Sequence, residues 1–207
     1  MNLLPGLTAR PRTVAGLILA AGESSRMGTD KALLTYHGSS FLEHISATLR
    51  EAGLKRVAVV LGHHAEEIRH AVKLRSVEVV INPNYRYGQT SSLQAGLRAL
   101  DQPNVRAVVL CLVDHPAVSV DVIKKLVAAY RKFHATVVIP TYQGQRGHPV
   151  LIARALFTEL LGLNASEGAN TVIRKYRDST QFVEFNDPGI LVDVDDPQSY
   201  RDLCATT

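Results

Sequence analysis

The chain has 207 residues, a formal net charge of +4, 46% hydrophobic and 20% charged residues. That is enough for one domain with a full core and calls for no second one, and no run approaches the roughly 18 to 20 apolar residues of a membrane span. Two cysteines are too few for a disulfide framework, and the mild positive balance allows an anionic partner while no basic–aromatic block points to nucleic acid.

In chain order, the first signal is VAGLILAA, Val14 to Ala21, which reads as a buried strand. Arg10 and Arg12 ahead of it give the outline of a secretory signal, but the same run is needed as the first strand of a repeated pattern, so a cytoplasmic protein is expected. The pattern continues as SFLEHISATLREAG (helix), VAVVL (strand), AEEIRHAV (helix), VEVVI (strand), TSSLQAGLRAL (helix), AVVLCLV (strand), SVDVIKKLVAAYRKF (helix) and TVVIP (strand). β-Branched runs alternating with amphipathic helical segments predict an α/β fold, a doubly wound and mostly parallel sheet with helices on both faces. Beyond Pro140 the alternation loosens. QGQRGHPVLI reads as a turn into a strand, ARALFTELLGL and GANTVIRKY as helices, and QFVEF and ILVDV as strands. Residues 1–207 are expected to form a single domain, with its core at about 14–203.

Open α/β sheets bind ligands beyond the carboxyl ends of their strands. The loop after the first strand, GESSRMGTDK, is neither a Walker A loop nor a G-x-G-x-x-G fingerprint. Its small residues still leave room for a ligand to meet backbone N–H groups, and Arg26 and Lys31 add positive charge. A plain strand–helix turn with solvated charges is the competing explanation. Asp114, at the end of AVVLCLVDHP, suits either a Mg²⁺ ligand or a turn aspartate before Pro116. In ILVDVDDPQSY, Asp193 and Asp195 would leave one face of a strand, whereas Asp196 before Pro197 fits a helix cap. Asn82 ends a strand, Gly88 follows, Ser91 and Ser92 open a helix, and Gly147, His148 and Pro149 form a turn. His63 and His64 lack a zinc-ligand spacing and read as loop.

L-A-A-G-E-S-S-R-M-G-T-D-K, Leu19 to Lys31, resembles the L-A-[AG]-G-x-S-x-R-M-G-x-x-K signature of the molybdenum cofactor nucleotidyltransferase family. Ala21 is similar to the cytidylyltransferase branch, whose guanylyl-transferring relatives carry glycine there. Four further motifs are in register between about Val14 and Leu203. The resemblance implies that Leu19, Ala20, Ala21, Gly22, Arg26, Gly28, Lys31, Gly62, Asn82, Gly88 and Ser92 meet the nucleotide. It implies that Ser91, Gly147, His148 and Pro149 meet the acceptor, and that Arg26, Lys31 and Asp114 are catalytic. Mg²⁺ would be held by Asp114 and Asp195, with Asp193 as the alternative to Asp195. His115 stands where relatives often carry glutamine or methionine and Asp196 where threonine is common; neither is expected to bear on the metal.

The implied activity is Mg²⁺-dependent transfer of CMP from CTP to the terminal phosphate of molybdopterin or the molybdenum cofactor, releasing pyrophosphate. The acceptor molybdoenzyme or its chaperone would be a further partner. Two alternatives stand beside it. One is the same chemistry on a sugar or polyol phosphate. The other is a non-catalytic carrier of nucleotide or cofactor.

Overall fold

A computed structural model describes residues 13–205. Arg10 and Arg12 of the signal-like outline lie outside the described residues, but VAGLILAA does not: it forms β1 (Thr13–Ala20), buried in the centre of the sheet. In chain order there follow β2 (Thr35–Tyr36), β3 (Ser39–Ser40), α1 (Phe41–Glu51), β4 (Val57–Leu61), α2 (Ala65–Ala71), β5 (Glu78–Ile81), α3 (Gln89–Leu100), β6 (Val105–Leu112) and α4 (Val120–Phe133). The remainder comprises β7 (Val137–Tyr142), β8 (Gln145–Arg146), β9 (Val150–Ala153), α5 (Phe157–Leu161), α6 (Ala169–Lys175), β10 (Thr180–Glu184) and α7 (Pro197–Ala205).

The main sheet runs β10-β7-β9-β6-β1-β4-β5, with β8 paired to β7. Hydrophobic periodicity explains its layers. Ala15, Leu17 and Leu19 point to one face and pack with Leu93, Leu97 and Leu100 of α3, joined by Phe157 and Leu160 of α5. Val14, Ile18 and Ala20 point to the other, against Leu42, Ile45 and Leu49 of α1, Ile68 of α2 and Ile123 and Leu126 of α4. Apolar residues at successive positions of one strand therefore fill two cores, as a parallel sheet covered on both faces requires. Local chemistry sets the helix starts. Ser40 Oγ accepts from the Glu43 backbone N–H at 3.2 Å while Glu43 Oε2 accepts from that of Ser40 at 3.0 Å, a reciprocal cap on α1.

Two features of the topology position the site. β1 is parallel to both β4 and β6, but the chain moves from β1 to one side and returns on the other, so a crevice opens beyond the ends of β1 and β6. β9 pairs antiparallel with both β6 and β7, which carries its leading residues, Gly147 to Pro149, to that same carboxyl edge.

The segment ILVDV is not a strand, contrary to the alternation of its residues. Pro188–Leu191 is a 3₁₀ turn and the chain then runs without regular structure to α7. Proline, glycine and Asp187, whose Oδ1 accepts from the Gly189 N–H at 2.9 Å, favour the turn over a strand. A backbone bond from Val194 N to Asp114 O at 2.9 Å docks the late acidic segment onto the end of β6.

Candidate active site

The loop after β1 is fixed at its middle by Met27. This residue is buried against Phe41 of α1, Val194 and Leu203 of α7, a small core at the rim of the sheet. Ser24 braces the loop from inside: its carbonyl accepts from Met27 N at 2.9 Å and its Oγ from Lys31 N at 3.1 Å. Gly28 has φ +73°, a backbone that glycine adopts without strain, in open space. Flanked by these anchors, Arg26 and Lys31 face the acidic segment that Val194 holds in place.

The charged centre is compact. Lys31 Nζ donates to Asp195 Oδ1 at 2.6 Å and to Asp114 Oδ2 at 3.2 Å, and the Arg26 guanidinium donates to Asp195 Oδ2 at 2.7 Å. The Lys31 side chain is only 10% exposed, so its charge is balanced by carboxylates rather than by bulk water. The Lys31 hydrogen bond, with Arg26 behind it, holds the Asp195 carboxyl below the ordinary carboxylate value. Asp193 shifts the other way: desolvation and then the neighbouring Asp114 raise it, although the residue as a whole is exposed. Asp196 is the cap its sequence predicts, with Oδ1 accepting from the N–H groups of Gln198 and Ser199 at 2.9 Å each.

These groups border a cavity of about 320 Å³. Leu19, Ala20, Ala21, Gly22, Arg26, Lys31, Gly88, Ser92, Asp114 and Asp195 all line it. Gly28, Gly62 and Asn82 do not line it. A Cβ on Gly62 would fall 2.5 Å from Tyr85 Cβ and 2.8 Å from Ala21 O, so glycine here lets β4 end directly beneath the loop. Buried Asn82 donates to the hydroxyls of Ser91 and Ser92 at 2.9 and 3.0 Å and so orients the start of α3. Ser91 is spent on that network, donating to Asn84 O and Gly88 O, and lines neither cavity. Tyr85, Asp30 and Gln89 also line the first cavity, without a signal in the sequence beyond their nearness to the motifs.

A second cavity of about 610 Å³ adjoins the first through Gln89 and Leu112. Gly147 and His148 line it; Pro149, joined to His148 by a cis peptide, does not. Gly147 has no room for a side chain, since a Cβ would lie 2.4 Å from Ile190 O. Burial, and then the adjacent His115, push His148 down to about 4, so it is neutral at neutral pH. Three arginines that carry no motif, Arg146, Arg174 and Arg177, line this cavity, and no carboxylate does among the described residues. The Arg146 guanidinium lies 4.9 Å from the Phe182 ring centroid, beside apolar Ile139 and Ile173.

A cation fits the centre chemically. Asp114 Oδ1 is buried with no hydrogen-bond partner, and ligand atoms of Asp114, His115 and Asp193 lie within 4.8 Å of one another. Such oxygen donors suit a hard divalent ion. Asp195 is not in that group; both its oxygens are taken by Lys31 and Arg26.

A crevice at the switch point of a doubly wound sheet, with cations on a small-residue loop and carboxylates from the end of β6 and from the irregular segment before α7, defines a nucleotidyltransferase scaffold. The chain belongs to the MobA-like NTP transferase domain family, whose model matches residues 16–180. It is similar to a nicotine blue oxidoreductase of Paenarthrobacter nicotinovorans (29% identity over 91% of this chain and 95% of the relative). It is similar also to a probable molybdenum cofactor guanylyltransferase of Opitutus terrae (34% over 64% and 63%) and to the molybdenum cofactor cytidylyltransferase of Escherichia coli (24% over 89% and 92%). Among solved structures, Rv0371c of Mycobacterium tuberculosis superposes with a TM-score of 0.82 at 28% identity, covering 94% of this chain and 98% of that one. A complex of Rv0371c with manganese superposes at 0.77 with 26% identity, covering 94% of this chain and 98% of that one.

Proposed function

We propose that this nucleotidyltransferase transfers CMP from CTP to the terminal phosphate of molybdopterin or the molybdenum cofactor, with Mg²⁺ as the divalent ion and pyrophosphate as the second product. The observation that carries the reading is the meeting of Lys31 with Asp114 and Asp195 at the crevice, next to a cavity lined by three arginines and, among the described residues, no carboxylate. Ala21, where guanylyl-transferring relatives carry glycine, supports CTP, and the two curated molybdenum cofactor relatives support the acceptor.

The nucleotide would occupy the smaller cavity with its triphosphate on the loop Gly22–Lys31. An acceptor phosphate oxygen attacks the α-phosphorus; that new P–O bond forms as the bond to the β-phosphate oxygen breaks. An ionised phosphate needs no protein nucleophile, so the residues act by positioning and charge. Lys31 and Arg26 stabilise the charge gathering on pyrophosphate. Arg146, Arg174 and Arg177 hold the anionic acceptor, and neutral His148 contacts it without adding charge. Asp114, with Asp195 or Asp193, would hold the divalent ion, which when bound screens the two anions from each other.

The test is pyrophosphate release with CTP, GTP and ATP against molybdopterin, sugar phosphates and methylerythritol phosphate. Turnover only with CTP and molybdopterin bears the reading out. Turnover with a sugar or polyol phosphate moves the acceptor, and tight CTP binding without pyrophosphate makes the protein a carrier. The relative named as an oxidoreductase makes this test at the level of substrate decisive.

A further inference from the structure

Buried polar side-chain atoms are nearly always hydrogen-bonded, so the exceptions mark places where a ligand is expected. Among the described residues there are three: Asp114 Oδ1, His115 Nδ1 and His148 Nδ1. They lie together. The His115 and His148 rings are 4.7 Å apart between centroids, and ligand atoms of Asp114, His115 and Asp193 sit within 4.8 Å of one another. Two of the three residues whose ligand atoms converge thus carry a polar atom without a partner, which makes them a donor set rather than a packing defect.

The surrounding charges separate this set from the Lys31 side of the crevice. Asp114 divides its two oxygens: Oδ2 accepts from Lys31, while Oδ1 has no partner. Asp195 has both oxygens engaged, one on Lys31 and the other on Arg26. Asp193 pairs with neither cation among the described residues. Two carboxylates and an imidazole are thus left to a common point.

We propose that His115 is a metal ligand, and that Asp114, His115 and Asp193 form a mixed nitrogen–oxygen site selecting a first-row transition ion over Mg²⁺. This inference rests on the reading of Asp114 as a metal ligand and changes two parts of it: Asp193 and His115, not Asp195, complete the donor set, and a transition ion takes the place of Mg²⁺. Mg²⁺ takes oxygen ligands and keeps its waters, so an imidazole adds little to its binding; transition ions take imidazole readily. The residue expected from the resemblance to be irrelevant to the metal is the one that would set the choice. Glutamine at this position would offer an amide oxygen instead and would restore a site for a hard ion.

The experiment uses Mn²⁺ as the probe, which reports by paramagnetic resonance both its free fraction and any directly bonded ¹⁴N. The wild-type protein, Asp114→Asn, His115→Gln and His148→Gln are titrated with Mn²⁺ and then with competing Mg²⁺, circular dichroism confirming each fold. Bound Mn²⁺ with a ¹⁴N coupling is expected in the wild type. It should persist in His148→Gln and vanish in His115→Gln, with the Mn²⁺ over Mg²⁺ preference falling about tenfold or more. Bound Mn²⁺ without ¹⁴N coupling, a coupling lost only in His148→Gln, or an unchanged preference in His115→Gln overturns the role of His115 and leaves a carboxylate site standing. Absence of Mn²⁺ binding in the wild type and Asp114→Asn alike overturns both this inference and the metal-dependent reading beneath it.

Discussion

Lys31 and Asp195 are 164 positions apart in the chain and 2.6 Å apart at the crevice, and the contact closes the molecule's charged centre from both ends of the sequence. Asp114 meets the same ammonium from the end of β6 at 3.2 Å. Replacing Lys31 by alanine leaves Asp114 without its cation and Asp195 with Arg26 alone, and removes a group placed to steady pyrophosphate. Turnover should fall roughly 100-fold or more, measured as pyrophosphate release under saturating nucleotide. Near-normal turnover would mean that Lys31 serves the fold alone.

The two late aspartates should respond to charge removal with opposite signs. Asp195 is held below its unfolded value, so its ionised form adds stability above that value and loses it as pH falls through the folded one. Asp195→Asn should therefore lower the melting temperature at pH 7, with the difference closing in acid. Asp193 is raised, so its ionised form costs stability above the folded value, and the cost is absent below the unfolded one. Asp193→Asn should raise the melting temperature at pH 7 in metal-free buffer, again converging with wild type in acid. Both shifts should be small, because these carboxylates reach solvent. Shifts of equal sign in thermal denaturation scans would contradict the two environments.

Gly147→Ala tests how the second cavity is built. The new methyl would meet the Ile190 carbonyl, a backbone atom that cannot turn aside, and His148 N donates to that same oxygen at 2.9 Å. A loss of about 1–3 kcal/mol is expected in denaturant unfolding, together with a raised KM for the acceptor.

The arginine wall of that cavity predicts a split in kinetic constants. Arg177→Gln should raise the acceptor KM about tenfold or more, the order expected for losing a charge-assisted hydrogen bond. The nucleotide KM should hold steady, since Arg177 lines only the larger cavity. A parallel rise in both would place the arginine's effect in the fold instead.

How much of this could be read from the chain itself depended on whether the signal was local. β1, β4, β6 and α1 follow from hydrophobic period and capping chemistry, and Asp196 from its proline. Arg26, Lys31 and Asp114 could be placed together because β1 and β6 end at one edge of a parallel sheet, whereas the alternation around Asp195 predicts a strand that the structure replaces with irregular chain. What stayed hidden depends on contacts distant in sequence. Nothing in ILVDV signals that Val194 gives up strand geometry to bond Asp114 O and pack on Met27. Arg146, Arg174 and Arg177 come from separate elements whose charges converge only after β9 has reversed direction. Ser91 and Asn82 look like ligand contacts in the motif, yet they bond to each other and hold the start of α3.

The reversal of β9 has one more consequence. The smaller cavity hangs from β1, the loop after it and the end of β6, while the larger takes most of its walls from the turn before β9 and from α6 and β10. Substitutions in the second set of elements can refit the molecule to a new anionic molecule while the grip on the first stays untouched. The scaffold therefore behaves as a fixed jaw and an exchangeable one.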